Sequence, residues 1–286
     1  MPNDNTILVL GATGRQGGAV AGELLAHGFR VRAMTRKPNS DAARRLAKRG
    51  ATVVRGDLND NRSVEQAMRG AWGVFSVQNT WEAGVVREEE QGKRVARLAK
   101  TLGVQHLVYS SVASADRNTG IPHFDNKWRV EEEIRSLDLP SYTIIRPVFF
   151  MDNFLSPWFK PGIDKGKLLI GIKPDTILQM IAVEDIGKYG CWAFAQSESL
   201  DRRAIDIAGY ATTLPDVAQI LSVVTATAVE FVPVPIEEVR KFNEDLAIML
   251  EWFDRVGYNA DIEGCAAESG IEPATLAQWA SKARWH

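Results

Sequence analysis

Apolar residues in the first half of the chain fall into short, nearly continuous runs, separated by longer stretches with a helical recurrence of apolar positions. "TILVLG" (6–11), "FRVRAM" (29–34), "ATVVRG" (51–56), "GVFSV" (73–77), "HLVYSS" (106–111) and "YTIIRPV" (142–148) are the runs. They are rich in β-branched residues and lack the polar alternation of a half-exposed strand, which suits a parallel sheet covered on both faces. Helices are expected between them, over 15–28 and near 41–49, 61–69, 85–102 and 126–137. Right-handed crossovers then place helices on both sides of the sheet. The expected fold class is α/β, a doubly wound parallel sheet.

After Pro147 the rhythm breaks. "FFMDNFLSPWFKPGIDKGK" is aromatic, rich in Pro and Gly, and not periodic. "AIDIAG" (204–209), "VEFVPVP" (229–235) and helices near 215–224, 236–249 and 274–283 read as a smaller C-terminal α/β lobe. The expected division is a dinucleotide-binding domain over 1–150, its sheet open to completion by later segments, and a lobe over 151–286. A ligand held between two lobes is the natural architecture.

Composition narrows the classes of function. The chain has 286 residues, 45% hydrophobic and 24% charged, ordinary for a chain that buries a sizeable core. With 34 basic and 36 acidic residues the net charge is −2, so neither direct nucleic-acid binding nor association with an anionic membrane is expected. Cys191 and Cys265 form no disulfide framework, which suits a reducing cytoplasm. The opening "MPNDNTILVLGATG" lacks a signal-peptide pattern, and no apolar run approaches the length of a membrane span. His27, His106 and His286 have no ligand-like spacing, so no metal site is expected. No G-x-S-x-G elbow points to a hydrolase.

The candidate chemistry begins at "LVLGATGRQGG", where Gly11, Gly14 and Gly17 follow a strand and open a helix, with Thr13, Arg15 and Gln16 between them. The spacing G-x-x-G-x-x-G is one residue looser than the usual Rossmann fingerprint, but the demand for glycine is the same. The turn needs positive φ, the backbone must approach a pyrophosphate, and the helix must pack close to the sheet. Free N–H groups at the helix start favour the anion. Beyond the second strand stand Thr35, Arg36 and Lys37, with no carboxylate until Asp41. An acid there would bond a ribose 2′-hydroxyl, whereas a guanidinium pairs with a 2′-phosphate. The expected cofactor is therefore NADP(H).

"GATGRQGG", "VRAMTRKP", "VRGDLND", "GVFSVQNTW", "PHFDNKWRVEE" and "RPVFFMDNF" together resemble the NmrA-like family, atypical members of the short-chain dehydrogenase/reductase superfamily. Within it the chain is most similar to the HSCARG type of NADPH sensor, a likeness that runs to the closing "ATLAQWASKAR". The resemblance implies cofactor contacts from Gly11–Gly17, from Arg36, from Asp57 and Leu58 near the adenine, and from Asn79. It implies that Lys127 reaches the nicotinamide ribose and that Phe150–Asn153 closes over the nicotinamide. Asp57 and Asn79 also fall at the carboxyl ends of predicted strands, where such sheets bind ligands, although Asp57 has a second reading as a cap or turn residue.

Typical members of the superfamily carry Y-x-x-x-K, and this chain has His123 where the tyrosine would stand, four residues before Lys127. Two readings of His123 follow. An imidazole titrates near neutrality and can donate a proton, or it is a structural residue with no proton to give at the right place. Pro122 is expected just outside the helix, with position 123 in the loop before it. Ser110, Ser111 and Ser114 are candidate hydroxyls and also ordinary loop residues. Phe149, Phe150, Phe154, Trp158 and Phe159 are read both as core between lobes and as the wall of an apolar pocket. Asp185 is expected as an N-cap, and Glu131–Glu133 as a solvated helix face. Two functions follow: a redox sensor that answers NADPH loading by engaging a regulatory protein partner, and an NADPH-dependent reductase of a small apolar carbonyl or quinone. Monomer and homodimer both remain open.

Overall fold

The computed structural model describes residues 3–285. In chain order its first elements are β1 (Asn3–Val9), α1 (Arg15–Ala26), β2 (Phe29–Thr35), α2 (Asp41–Lys48), β3 (Thr52–Arg55), α3 (Asn61–Met68) and β4 (Gly73–Ser76). Then come α4 (Thr80–Ala83), α5 (Val85–Thr101), β5 (His106–Ser110), α6 (Pro122–Ser136), β6 (Tyr142–Pro147) and β7 (Phe149–Phe150). The second half adds α7 (Lys160–Ile163), β8 (Lys167–Ile170), β9 (Ile177–Ile181), α8 (Val183–Ala195), β10 (Arg203–Ile207) and β11 (Tyr210–Thr213). It ends with α9 (Leu214–Thr225), β12 (Glu230–Pro233), α10 (Ile236–Phe242), α11 (Glu244–Arg255), α12 (Ile262–Ser269) and α13 (Leu276–Lys282).

A seven-stranded sheet in the order β10-β6-β5-β4-β1-β2-β3, parallel throughout, forms the main layer. Strand alternation divides the side chains of β1 and of Leu10, the residue after it, between two cores. Ile7 and Val9 join α1 and α8 on one face, while Leu8 and Leu10 join α3, α5 and α6 on the other. Helix α8 lies against α1 through glycines: a Cβ on Gly187 would stand 2.9 Å from the Ala19 carbonyl carbon, and one on Gly190 2.7 Å from Val20 Cγ2. A third core unites β7, β8, β9, α9, α11 and α13, and it also takes Ile121 and Phe124 from the start of α6. Helix α6 thus serves the main sheet at one end and the lobe at the other.

Several expectations are corrected. Residues 203–207, assigned from sequence to the later lobe, form the outer strand of the main sheet beside β6. The helix expected over 236–249 is two, because Asn243 leaves the helical conformation and its side chain accepts the N–H of Leu246 at 3.0 Å, capping α11. Helix α6 begins at Pro122, not after it. At the first helical position the missing N–H costs nothing and the ring presets φ. Asp185 is not an N-cap: it is buried inside the first turn of α8, where it pairs with Lys188 at 2.6 Å and accepts the N–H of Ala274 at 2.8 Å. The start of α8 is capped from elsewhere, by Asp152 accepting the N–H of Val183 at 2.9 Å. Glu131 is fully buried rather than solvated. It takes a two-pronged contact from Arg146 (2.9 and 2.7 Å), a bond from Arg135 (2.9 Å) and one from the Ser111 hydroxyl (2.6 Å).

Candidate functional site

The glycine loop sits at the carboxyl edge of the sheet. Gly11 has φ +59°, a value that favours glycine, and its carbonyl accepts the N–H of Gly14 at 2.8 Å. A Cβ on Gly17 would stand 2.4 Å from the Gly11 carbonyl oxygen and 2.7 Å from that of Leu10, so only glycine lets α1 approach β1 this closely. Gly14 occupies the N-cap position of α1 with no side chain to cap it, which leaves the first amides of a 12-residue helix free for an anion. Thr13 ties the loop to the end of β2 through a hydroxyl contact with Thr35 at 2.9 Å. Gln16 accepts the Ser110 hydroxyl at 2.6 Å, and Arg15 donates to the Asp152 carbonyl at 3.1 Å, so the loop also meets β5 and the turn after β7.

Arg36 and Lys37 are exposed just past β2. Arg36 forms an ion pair with Glu82 of α4, a short helix that ends at Gly84 (φ +80°). Asp57 turns its carboxylate to its own loop, accepting the N–H of Asn59 at 2.9 Å, as its cap-or-turn reading allows. The Leu58 carbonyl receives Arg94 at 2.7 Å. Asn79 caps α4 by accepting the N–H of Trp81 at 3.1 Å. Phe150 ends β7 half-buried against the main core, and Asn153 lies in the following 3-10 turn.

The starting position of α6 decides the geometry of the remaining candidates. His123 and Lys127, four apart in one helix, share a face. Lys127 Nζ bonds Glu88 of α5 at 2.7 Å, and Glu88 also accepts Asn126 Nδ2 at 2.8 Å and the Thr80 hydroxyl. Burial pushes the Glu88 carboxyl upward, but Lys127 and these donors outweigh it and hold the group below the usual carboxylate range. The ammonium lies 5.9 Å from the centre of the Tyr109 ring. Tyr109 is buried and its hydroxyl pushed far up, chiefly by burial and then by Glu88. Among the described residues that hydroxyl, Gln78 Oε1 and Asn126 Oδ1 are buried without a partner. His123 Nδ1 pairs with Asp245 of α11, and the Trp81 ring lies 5.2 Å from the imidazole.

The other candidates divide between packed and unpartnered side chains. Ser110 and Ser111 spend their hydroxyls on Gln16 and Glu131. Ser114 has φ 65° and a buried hydroxyl without a partner among the described residues. Phe149, Phe154 and Phe159 pack on one another at 5.8–6.4 Å between ring centres, while Trp158 stands exposed against Phe242. Among the described residues no three His, Cys, Asp or Glu side chains gather as metal ligands, and no helix is long and apolar enough to cross a membrane. His286 lies outside the described residues. Sequence reasoning missed Glu88, Asp245 and Trp81. Glu88 sits in an acidic helical run that looks solvated, and Asp245 lies 122 residues from its partner, so no local signal marks either.

Comparison with known proteins bears on the family and the fold. The sequence model of the NmrA-like family matches residues 3–280. An NmrA-like family domain-containing oxidoreductase of Malbranchea aurantiaca is 34% identical over 204 residues, covering 63% of this chain and 60% of that protein. Matches to two further oxidoreductases so described cover 49% and 48% of their lengths. Among solved structures, an NADPH-dependent quinone oxidoreductase of Escherichia coli complexed with NADPH superposes with a TM-score of 0.80 at 22% identity, over 96% of this chain and 98% of that one. NmrA, a negative transcriptional regulator in complex with NADP, superposes with a TM-score of 0.79 at 20% identity, over 98% and 95%. At such identities the likeness carries the fold.

Proposed function

This chain belongs to the NmrA-like family, and we propose that it binds NADP(H) and reduces an apolar carbonyl or quinone. The observation that carries the reading is the shared face of α6, where Lys127, fixed by Glu88, stands one turn after His123. The cradle fits the cofactor. Glycine at 17 lets the start of α1 lie close against the end of β1, the first α1 amides carry no side-chain cap, and Arg36, exposed past β2, is the cation we assign to a 2′-phosphate. When bound, the reduced nicotinamide supplies the hydride. Lys127, with one of its three donors held by Glu88, has the others to orient a ribose. Trp81 is exposed beside His123, and Trp158 and Phe242 stand exposed against each other; flat apolar surfaces of this kind suit an apolar acceptor.

A second reading, the redox sensor, is favoured by the Arg36–Glu82 pair. A 2′-phosphate taking Arg36 would release Glu82, and with it α4 and the exposed Trp81, so that loading alters a surface a protein partner can read. The cofactor must then bind the two arrangements with different affinity. One experiment tests both readings: NADPH and NADH titrations of wild type and Arg36→Ala, followed by NADPH oxidation against a panel of quinones and aldehydes with Lys127→Ala as control. We expect Arg36→Ala to weaken NADPH by about 10-fold or more and NADH little; equal loss refutes the assignment of Arg36. Turnover that Lys127→Ala abolishes supports the reductase. Tight NADPH binding without turnover on any acceptor supports the sensor instead.

A further inference from the structure

Resting on the reductase reading, we infer that His123 donates the proton to the acceptor oxygen and that Asp245, from the other lobe, is the positioning residue that gives it the right ring nitrogen. His123 occupies the first turn of α6 and is 8% exposed. Its Nδ1 meets the carboxylate of Asp245, in the first turn of α11. An ionised carboxylate only accepts, so Nδ1 must carry a hydrogen. The neutral ring then presents a bare Nε2, and the charged ring an Nε2–H. Among the described residues Nε2 makes no hydrogen bond, while Nδ1 is fully engaged. The ring plane is fixed on two sides: Phe124 meets it edge-on at 4.9 Å, and Trp81 lies 5.2 Å away.

The surroundings match a donor that faces an apolar acceptor. Trp81 is 61% exposed, and Phe242, three residues before Asp245, is 66% exposed against Trp158. Lys127, one turn along α6, is already paired with Glu88 and leaves the imidazole as the group with a transferable proton. Hydride adds to the carbonyl carbon, the π pair moves to oxygen, and that oxygen takes the proton from Nε2. The N–H bond breaks, an O–H bond forms, the nicotinamide is oxidised, the carbonyl becomes an alcohol, and solvent returns the proton to the ring. Nδ1–H stays on Asp245 throughout. Because the two residues come from different lobes, the donor is assembled only when the lobes are together.

A strut between lobes would show the same contact, so the test must separate the two roles. The variants are Asp245→Ala, Asp245→Asn, Asp245→Glu and His123→Gln, each checked for NADPH affinity and melting temperature. Nitrogen-15 NMR of the imidazoles reads the tautomer directly, and the chain has 4 histidines, so the signal lost in His123→Gln assigns the ring. We expect Nδ1–H in the wild type and Nε2–H in Asp245→Ala, with Asp245→Glu restoring Nδ1–H. We expect kcat on aldehydes to fall on the order of 100-fold in His123→Gln and 10-fold or more in Asp245→Ala, at unchanged NADPH affinity. The loss should be smaller on quinones, whose reduced oxygen needs a proton less urgently. A tautomer indifferent to Asp245, or aldehyde and quinone rates falling equally together with NADPH affinity, overturns the inference while leaving the reductase reading intact. A wild type that oxidises NADPH with none of the quinones or aldehydes overturns both.

Discussion

A single buried imidazole illustrates how far a residue's behaviour can depart from its sequence context. His106 opens β5 fully buried, with Nδ1 against the Ser141 hydroxyl at 2.8 Å and its ring stacked on Trp72. Burial lowers its pKa to about 4, against a weaker pull from Asp201. The unfolded chain takes up this proton near pH 6.5 and the folded chain only near 4. Between those limits the unfolded state binds more protons, so stability falls as pH falls, by about 3 kcal/mol when complete. Urea unfolding of wild type and His106→Gln across pH 7 to 4 should show this slope in the first and not in the second. Glu88 acts in a lower window. Its depressed carboxyl contributes stability above about pH 4.5, which is lost as pH falls through the folded value. At this scale the positive φ of Gly11 and the close approach at Gly17 were legible because they follow from neighbours in the chain. Glu88 and Asp245 were not, since each acts on a residue brought near by folding.

Helix α6 shows what is settled at the level of elements. Its middle is anchored to β6 by Glu131 and Arg146, both buried, with Arg146 also bonded to Asp116 at 2.9 Å and its guanidinium 5.7 Å from the Trp128 ring. Burial opposes the Arg146 charge, but Glu131 and Asp116 hold it protonated more firmly than usual. Glu131→Gln leaves a buried guanidinium short of its partner and should cost about 3–5 kcal/mol in denaturant unfolding. A paired Glu131→Met, Arg146→Met variant should recover most of that, because the desolvation it relieves is comparable to the attraction it removes. The contact of α1 with α8 makes a second demand. Gly190→Ala drives a methyl to within 2.7 Å of Val20, for an expected loss of about 1–3 kcal/mol by thermal melting. The helical pattern predicted α6, yet it read Glu131–Glu133 as solvated, because a charge that pairs with a distant arginine has the same local spacing as one facing water.

For the whole molecule the return of the chain matters most. Strand β10 and helix α8, from the second half, complete the sheet and one of its two helical layers. A fragment of residues 1–150 would expose the outer edge of β6 and the apolar face that α8 covers. We expect it to lack cooperative unfolding and dispersed NMR signals, whereas the full chain should melt in one main transition; an independently folded fragment would contradict this. The sequence by itself determined the parallel sheet, the glycine loop and the basic end of β2, because periodicity and backbone freedom are properties of adjacent residues. Only the tertiary structure decided that His123 shares a face with Lys127, that Glu88 holds the lysine, and that Asp245 crosses from the lobe to the imidazole. Those outcomes depend on desolvation and charge pairing between segments far apart in the chain, and such energies exist only once packing has removed the water between them.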